Sequence, residues 1–346
     1  MTISVVGVDL SKSVFQISLA DAKHHVVDRK RLSRTQFHRF LAQTEPVRLV
    51  MEACGTSNHW GRTAQSLGHE VKLLHANYVK AYVRRTKTDA ADADALILAD
   101  SDKSLHPIPV KPEEQQALQG LHKIREQWKR ARVARICEAR ALLAEFGIST
   151  PAGVRGIGRK LTLVTEQAPM LIQPTLLDLI QEIGELEQRL KRVDQALAAY
   201  ANSNPDVQAL LGIQGIGITI ATAFVARVSS IHMFKRGRSF SSWLGLTCRE
   251  YSSGQTRRLG RITRQGDRYL RTMLIHGARA ALMAARRKAA NGKELTRLET
   301  WAVNTQARVG HNKATVALAN KMARIMWAVW TRHDTFNGND ALRFAA

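Results

Sequence analysis

The order of predicted strands and helices in the first 105 residues constrains the fold more than any other feature of the sequence. Short apolar runs bounded by polar turns predict the strands, and longer periodic stretches predict the helices. In order, we predict strands at 3–8, 13–20 and 24–29, a helix at 34–43, a strand at 48–51, a helix at 59–67, a strand at 71–74 and a helix that begins near 89. Elements in this order form a mixed sheet with helices on both faces.

This order is that of an RNase H-like domain, and we assign residues 1–105 to such an α/β domain. Residues 106–205 are predicted to form a helical middle region. Residues 206–346 are predicted to form a third domain, mostly helical and basic, with a glycine- and serine-rich interruption at 245–266. The chain is long enough for each of these segments to bury a core of its own.

The helical middle region contains a heptad repeat. A helix over 112–146 is followed by a proline- and glycine-containing break at 151–158 and a second helix over 176–199. Apolar residues in the second helix are spaced alternately by three and four positions: Leu176, Leu179, Ile183, Leu186, Leu190, Val193 and Leu197. Three heptads predict a coiled coil, either within a helical hairpin or between protomers. The alternative is a helix that packs on its own domain.

Four acidic residues stand where the predicted elements could bring them together. Asp9 and Glu52 end two predicted strands, and Asp89 and Asp92 lie three residues apart at the start of a predicted helix, where they share a face. Clustered carboxylates repel one another unless a cation lies between them, and oxygen ligands suit Mg²⁺ or Mn²⁺. We therefore predict a metal site. The alternative is a set of unrelated surface acids, with Asp89 as a helix N-cap.

The charge of the chain predicts a polyanionic partner. The formal net charge is +23, and the basic residues are concentrated at one end of the sequence. Residues 1–105 contain 15 Lys and Arg against 11 Asp and Glu, whereas residues 227–346 contain 23 against 6. A surplus of this size favours nucleic acid as the partner, contacted mainly by the C-terminal third.

Composition argues against several other classes of protein. The three cysteines, Cys54, Cys137 and Cys248, are far apart and lack CxxC spacing, which argues against a zinc module and favours a reducing compartment. No apolar stretch approaches the roughly 18 residues that a membrane span requires. We therefore expect a cytoplasmic protein without a membrane partner.

A glycine-rich turn precedes an apolar helix in the C-terminal third. The turn reads G-I-Q-G-I-G at 212–217 and resembles a helix-hairpin-helix DNA-binding hairpin. Backbone N–H groups of Gly215 and Gly217 would then point at a phosphate at the start of a helix. The alternative is a tight turn between two packed helices.

A serine pair precedes a dense basic run. Ser252 and Ser253 lie in Y-S-S-G, and Arg257, Arg258, Arg261, Arg264, Arg268 and Arg271 follow. A serine hydroxyl needs a base, a metal or positive surroundings to act as a nucleophile, and arginines can hold the phosphate that it attacks. No His–Asp partner lies beside these serines in the sequence, so they could equally form a plain turn.

Five motifs follow one another along nearly the whole chain: G-V-D at 7–9, E-A-C-G at 52–55, K-T-D-A-A-D-A at 87–93, G-I-Q-G-I-G at 212–217 and Y-S-S-G at 251–254. Each motif alone is weak, but the ordered set is specific. Together they resemble the insertion-sequence-110 family of transposases, which includes DNA invertases of the pilin-inverting type. The sequence around Glu52 is similar to that of the 1111-like subgroup.

The resemblance implies a RuvC-like N-terminal domain with a D-E-D-D tetrad, a coiled-coil region and a C-terminal transposase domain with a catalytic serine. The tetrad falls on Asp9, Glu52, Asp89 and Asp92, and the serine before the glycine of Y-x-S-G is Ser253. The family uses Mg²⁺, for which Mn²⁺ is a possible substitute, and forms a transient phosphoserine link to double-stranded donor and target DNA. Its members act as dimers of dimers, and the active site joins the acidic domain of one protomer to the serine of another.

Some members of the family recognise donor and target DNA through a bridge RNA encoded by the element itself, and we expect the same here. The resemblance also places the protein at the bacterial nucleoid. Two alternatives stay open. One is a metal-dependent DNA nuclease, or Holliday-junction-resolvase-like enzyme, in which water is the nucleophile and Ser253 is structural. The other is a nucleic-acid-binding scaffold without catalysis.

Overall fold

The computed structural model describes residues 2–83, 88–150, 153, 156–334 and 336–339. It divides the chain into two compact units, Met1–Gln116 and Ala117–Ala346. Lys87 of the K-T-D-A-A-D-A motif lies outside the described residues, as do positions 151, 152, 154 and 155 of the predicted break at 151–158. The division into three domains stays a prediction.

The first unit has the predicted order of elements, with two short helical turns added before its last helix. Its elements are β1 (Val5–Asp9), β2 (Val14–Ala20), β3 (Val26–Ser33), α1 (Arg34–Gln43), β4 (Arg48–Glu52), α2 (Ser57–Ser66), β5 (Glu70–Leu74), α3 (Ala76–Val79), a 3₁₀ turn (Lys80–Tyr82) and α4 (Asp89–Ser101). Strand β3 extends four residues beyond the predicted end at 29. Its middle residues, 28–31, are exposed and charged, so an apolar pattern could not show that the strand continues.

The five strands form one mixed sheet in the order β3-β2-β1-β4-β5. The β1–β2 and β2–β3 pairs are antiparallel, whereas β1–β4 and β4–β5 are parallel. One apolar core joins the sheet to α1 and α2 through Phe15, Phe37 and Trp60. A second core lies on the opposite face, where Leu96 and Ile97 of α4 pack on the strands. The predicted α/β domain with helices on both faces is therefore present, and it is consistent with an RNase H-like fold.

Helix α4 is anchored at its C-terminal end by a buried carboxylate. Asp100 lies 2.9 Å from Lys72 Nζ, 2.9 Å from His24 Nε2 and 3.2 Å from an Arg48 guanidinium nitrogen. Burial raises the pKa of Asp100, but the bonds from Lys72, His24 and Arg48 outweigh it and hold the pKa below its ordinary value. These partners come from the β2–β3 turn, β4 and β5, so they fix α4 against the sheet.

The second unit is almost entirely helical apart from one hairpin. Its long helices are α5 (Glu113–Glu145), which spans the division at residue 116, and α7 (Gln173–Ser203), and α6 (Ile157–Thr165) lies between them in sequence. The other elements are α8 (Pro205–Leu211), α9 (Ile218–Arg227), a 3₁₀ turn (Ile231–Met233), α10 (Gly237–Trp243), β6 (Cys248–Glu250), β7 (Leu259–Ile262), α11 (Arg268–Ala290), α12 (Arg297–Val309) and α13 (His311–Arg332). The predicted interruption at 245–266 contains the two-stranded β6–β7 hairpin, which the sequence pattern did not reveal.

Helices α5 and α7 run antiparallel and are joined by ion pairs. Arg125 pairs with Asp194, and Arg135 pairs with Glu182. Six of the seven apolar heptad residues of α7 are buried within this unit, and Leu179 is partly buried. The apolar face of α7 is thus covered inside the chain. A regular coiled-coil packing stays a prediction.

The C-terminal helices α8 to α13 enclose the largest core of the unit. Phe224, Phe240, Leu274 and Met326 are fully buried there. No helix among the described residues is long and apolar enough to cross a membrane.

Candidate functional site

The carboxyl ends of the parallel strands bring two of the predicted acids side by side. In the β1–β4 pair, Val8 lies opposite Met51, so the next residues, Asp9 and Glu52, emerge next to each other at the same edge of the sheet. Side chains alternate between the two faces of a strand. Since Val5 and Val50 belong to the core beneath α4, Asp9 and Glu52 lie on the α4 face.

A close approach of α4 to β1 brings in a third acid. Gly7 has no side chain, and a Cβ placed there would lie 2.5 Å from the carbonyl oxygen of Ala93. Only glycine therefore lets α4 come this near to the strand. Asp92 precedes Ala93 in the first turn of α4. The close packing therefore brings Asp92 toward the sheet edge where β1 ends at Asp9.

Asp9, Glu52 and Asp92 line one cavity of about 460 Å³. Asn77 and Lys80, which follow β5, line it as well. Neither residue was predicted from the sequence. Their position just after β5, which ends at the same sheet edge as β1 and β4, is the feature that could have identified them.

Asp89 is not among the residues that line the cavity. It is exposed in the first turn of α4, where a negative charge is favourable. The alternative that Asp89 is the N-cap is wrong, because the side chain of Thr88 accepts the capping hydrogen bond from Ala91 N–H. Asp94, a further acid of this helix, is engaged by Arg29 and Ser18.

The donor set of the cavity suits a hard divalent cation. The carboxylates of Glu52 and Asp92 have no hydrogen-bond or ion-pair partner among the described residues. In the same part of the chain, no three His, Cys, Asp or Glu side chains approach closely enough to enclose one ion. Mg²⁺ does not require such a cage, because it is commonly held by one or two carboxylates together with water and substrate phosphate. The residues therefore fit Mg²⁺.

The two candidate serines lie at the tip of the β6–β7 hairpin, and their hydroxyls have different surroundings. Ser252 Oγ donates to Glu250 Oε1 at 2.7 Å and accepts from Arg258 N–H at 3.1 Å. The Ser252 bond, followed by the Arg257 guanidinium, lowers the pKa of Glu250 below its ordinary value. The exposed Ser253 hydroxyl makes no hydrogen bond to any described residue. Of the two hydroxyls, only that of Ser252 is engaged by described residues.

Five predicted phosphate-binding arginines are exposed on the hairpin and the segment after it: Arg257, Arg258, Arg261, Arg264 and Arg268. Arg271, which the sequence analysis placed in the same run, is buried and donates to the carbonyl oxygens of Leu244 and Gln265. It ties together the two ends of the loop that carries the hairpin. The expectation that Arg271 holds a phosphate with the rest of the run is therefore wrong, because its guanidinium faces the protein.

The glycine turn lies between α8 and α9, as predicted. Gly215 has φ +89°, and a Cβ there would lie 2.5 Å from the carbonyl oxygen of Gly277 in α11. Packing against α11 therefore requires glycine at position 215. The alternative interpretation, a tight turn between two packed helices, is sufficient to explain this residue. Gly217 is exposed, with open space around it, and precedes α9. Phosphate binding at this turn stays a prediction.

Two parts of the chain match known families. Residues 6–148 match the DEDD family of IS110 type, described as transposase, and residues 207–293 match the transposase IS116/IS110/IS902 family. The chain is 40% identical over 341 residues to a probable family 20 transposase of Pseudomonas aeruginosa. The aligned region covers 97% of this chain and 99% of that relative. The chain belongs to the IS110-type family of transposases.

Other relatives of this transposase carry insertion-sequence names. It is 36% identical over 338 residues to the transposase for insertion sequence element IS1111A of Coxiella burnetii, covering 96% of this chain and 91% of that relative. It is 32% identical over 336 residues to the transposase for insertion sequence element IS1328 of Yersinia enterocolitica, and the aligned region covers 97% of this chain and 99% of that relative. The resemblance to the 1111-like subgroup is thereby confirmed. The protein is an insertion-sequence transposase, an enzyme that acts on DNA.

Proposed function

We propose that this transposase cuts and rejoins DNA through a phosphoserine at Ser253, assisted by Mg²⁺ held in the acidic cavity. The cavity lined by Asp9, Glu52 and Asp92 is the observation that supports the proposal most directly. Asp89, the fourth acid that the resemblance implies, lies in the first turn of α4 outside the residues that line the cavity. Mn²⁺ has similar ligand preferences and can substitute for Mg²⁺.

The acidic residues bind and orient the divalent ion, which, when bound, polarises the scissile phosphate and stabilises the charge that develops on its oxygens. Ser253 Oγ attacks the phosphorus, the bond from phosphorus to the 3′ oxygen breaks, and the serine proton is lost as the 3′ hydroxyl is released. In the second step a 3′ hydroxyl of the partner strand attacks the phosphoserine. The serine leaves and regains its proton, so one phosphodiester is exchanged for another.

The basic surface of the hairpin positions the DNA for these steps. Arg257, Arg258, Arg261, Arg264 and Arg268 are exposed there and can hold phosphates on either side of the bond that is attacked. Gly217 is the N-cap residue of α9, and no side chain caps the first N–H groups of that helix. The backbone there, together with Gly215, can supply a further phosphate contact.

We extend the proposal to the partners that the resemblance implies. Donor and target are double-stranded DNA, a bridge RNA from the element guides the choice of site, and the assembly is a dimer of dimers. In that assembly the acidic cavity of one protomer meets Ser253 of another, at the bacterial nucleoid.

A cleavage assay on DNA carrying the element's junction, with RNA transcribed from the element, tests the chemistry. We expect Asp92→Asn and Ser253→Ala each to lower strand cleavage by at least ~100-fold. Asp94→Asn is the matched control, because it removes a carboxylate from the same helix outside the cavity. Calorimetric titration with Mn²⁺ should show weaker binding for Asp92→Asn than for Asp94→Asn.

Ser252→Ala should keep cleavage activity, since Ser253 remains. If Ser253→Ala cleaves DNA as well as the wild type does, water is the nucleophile and the enzyme is a metal-dependent nuclease of the resolvase-like kind. If none of these variants changes cleavage, neither the cavity nor the hairpin takes part.

A further inference from the structure

A groove of about 390 Å³ lies between α12 and α13 in the second unit. It is lined by Leu295, Arg297, Leu298, Thr300, Trp301, Asn304 and Lys321. None of these residues belongs to the hairpin, the glycine turn or the acidic cavity. The lining thus contains the aromatic ring of Trp301, two polar side chains and two cationic side chains, together with two leucines.

The two cations of the groove lack acidic partners. Neither Arg297 nor Lys321 has a carboxylate within ion-pairing distance among the described residues. The Lys321 ammonium lies 4.6 Å from the centroid of the Trp301 ring, a cation–π contact. Burial, and then the charge of Arg324, lower the pKa of Lys321. An anion that entered the groove would relieve this repulsion.

The ammonium over Trp301 can move to an incoming phosphate. A lysine side chain is long and flexible, and the Lys321 ammonium, which contacts the Trp301 ring, has no hydrogen-bond or ion-pair partner among the described residues. When a phosphate enters, the ammonium can move to a phosphate oxygen and uncover the indole face. That face then becomes a platform on which a planar ring can stack.

We propose that this groove binds one unpaired nucleotide, with its base stacked on Trp301 and its phosphate held by Lys321 and Arg297. Aromatic platforms flanked by cations bind single strands in this manner, because every base has a stacking face. Asn304 and Thr300 offer hydrogen bonds to the edge of the base. The base must leave its duplex to enter a concave site, so paired DNA is excluded.

The anion site in the groove consists of side chains rather than of the N-terminus of α12. The backbone N–H groups of Arg297 and Leu298 already donate to Asn339 Oδ1 and to the Gly338 carbonyl oxygen. The proposal does not depend on the nucleophile at Ser253. A transposase that used water would also expose unpaired strands, in DNA or in RNA.

Photocrosslinking tests the contact in the full chain. Single-stranded RNA and DNA of about twelve nucleotides, each with one 5-iodouracil, would be irradiated with the wild type, and the linked peptide sequenced. A crosslink in the α12 segment that contains Trp301 is expected. Whether RNA or DNA crosslinks better then identifies the source of the unpaired strand.

Binding measured by fluorescence anisotropy provides the energetic test. We expect Trp301→Leu to weaken single-strand binding by roughly 10-fold and to leave duplex binding unchanged, and Lys321→Met should weaken it less. Trp301→Phe should retain most of the affinity, which distinguishes lost stacking from misfolding. Lys313→Met is the charge-matched control on the same helix, outside the groove.

Three results would overturn the proposal. One is a crosslink that maps elsewhere, and another is an equal loss of duplex and single-strand affinity in Trp301→Leu. The third is a Lys313→Met variant that is as weak as Lys321→Met, because the effect would then be one of overall charge.

Discussion

Gly7 shows how one residue sets the geometry of the acidic cavity. It lies in β1 two residues before Asp9, and Ala93 of α4 rests where its side chain would be. Close contact between a strand and a helix at this point determines how near Asp92 comes to Asp9. The G-V-D motif thus combines a packing requirement with a candidate metal ligand.

Gly7→Ala should damage both the fold and the cavity. The new Cβ would lie 2.5 Å from the Ala93 carbonyl oxygen, so α4 must shift, at a cost of about 1–3 kcal/mol. We expect a lower melting temperature and a loss of DNA cleavage greater than the loss of folded protein.

Gly120→Ala is the control for this substitution. Nothing lies within 4 Å of a Cβ at Gly120, which is inside helix α5, so this variant should be as stable as the wild type or more so. If Gly7→Ala melts at the wild-type temperature, the close approach does not limit the position of α4.

The sequence alone identified candidate serines and arginines, but it could not show which of them are engaged by the protein itself. Ser252 and Ser253 are indistinguishable in the motif, and only the hairpin geometry shows that Ser252 bonds to Glu250 and Arg258. The sequence could not distinguish the buried Arg271 from the exposed arginines before it, because a run of arginines does not show which side chain is buried. The loop carbonyls that receive its N–H groups lie six and 27 residues away.

At the scale of elements, a buried histidine joins three helices of the second unit. His122 of α5 is fully buried, with Nε2 3.1 Å from Thr222 Oγ1 in α9 and Nδ1 3.2 Å from the Tyr269 hydroxyl in α11. Thr222 donates its own proton to the Ile218 carbonyl oxygen, so it accepts from Nε2–H. Nδ1 then accepts from Tyr269, and the imidazole is neutral.

The pH dependence of stability should report this histidine. Burial, followed by the charges of Arg125 and Arg227, lowers the pKa of His122 to about 4. Between pH 6.5 and 4 the unfolded chain therefore takes up a proton that the folded chain does not, and the folded state loses roughly 3 kcal/mol as the pH falls across this window. Above about pH 6.5 the contribution is constant.

His122→Gln should remove this part of the acid sensitivity, because glutamine can keep one donor and one acceptor without titrating. The measurement is the urea midpoint of both proteins at pH 7.5 and pH 5. We expect the difference between the two pH values to be smaller in His122→Gln. Equal differences would mean that His122 is protonated in the folded protein.

The elements that the sequence predicted well are the ones with an apolar pattern. Helix α1 was predicted to its last residue, and α7 follows its heptads. Strands β6 and β7 were not predicted, because their residues are largely exposed and β6 is only three residues long. The two strands pair through Cys248 with Ile262 and Glu250 with Leu259, and this pairing between separate segments is not a property of either one.

At the scale of the whole molecule, the candidate acidic metal ligands and the exposed arginines lie in different units. The acidic cavity belongs to the first unit, and the exposed arginines around Ser253 belong to the second. Composition alone predicted this separation. It could not show that Asp9, Glu52 and Asp92 line one cavity, since that depends on strand register and on the packing of α4.

The measurement that tests the proposed chemistry most directly is to trap and map the covalent link. The transposase, with RNA from its element and Mg²⁺, would be mixed with a nicked DNA substrate carrying the junction, and the denatured products examined for DNA-bound protein. We predict an adduct whose linked peptide carries the DNA on Ser253 and which is absent in Asp9→Asn. Cleaved DNA without any adduct, or a link on another residue, would contradict the serine mechanism.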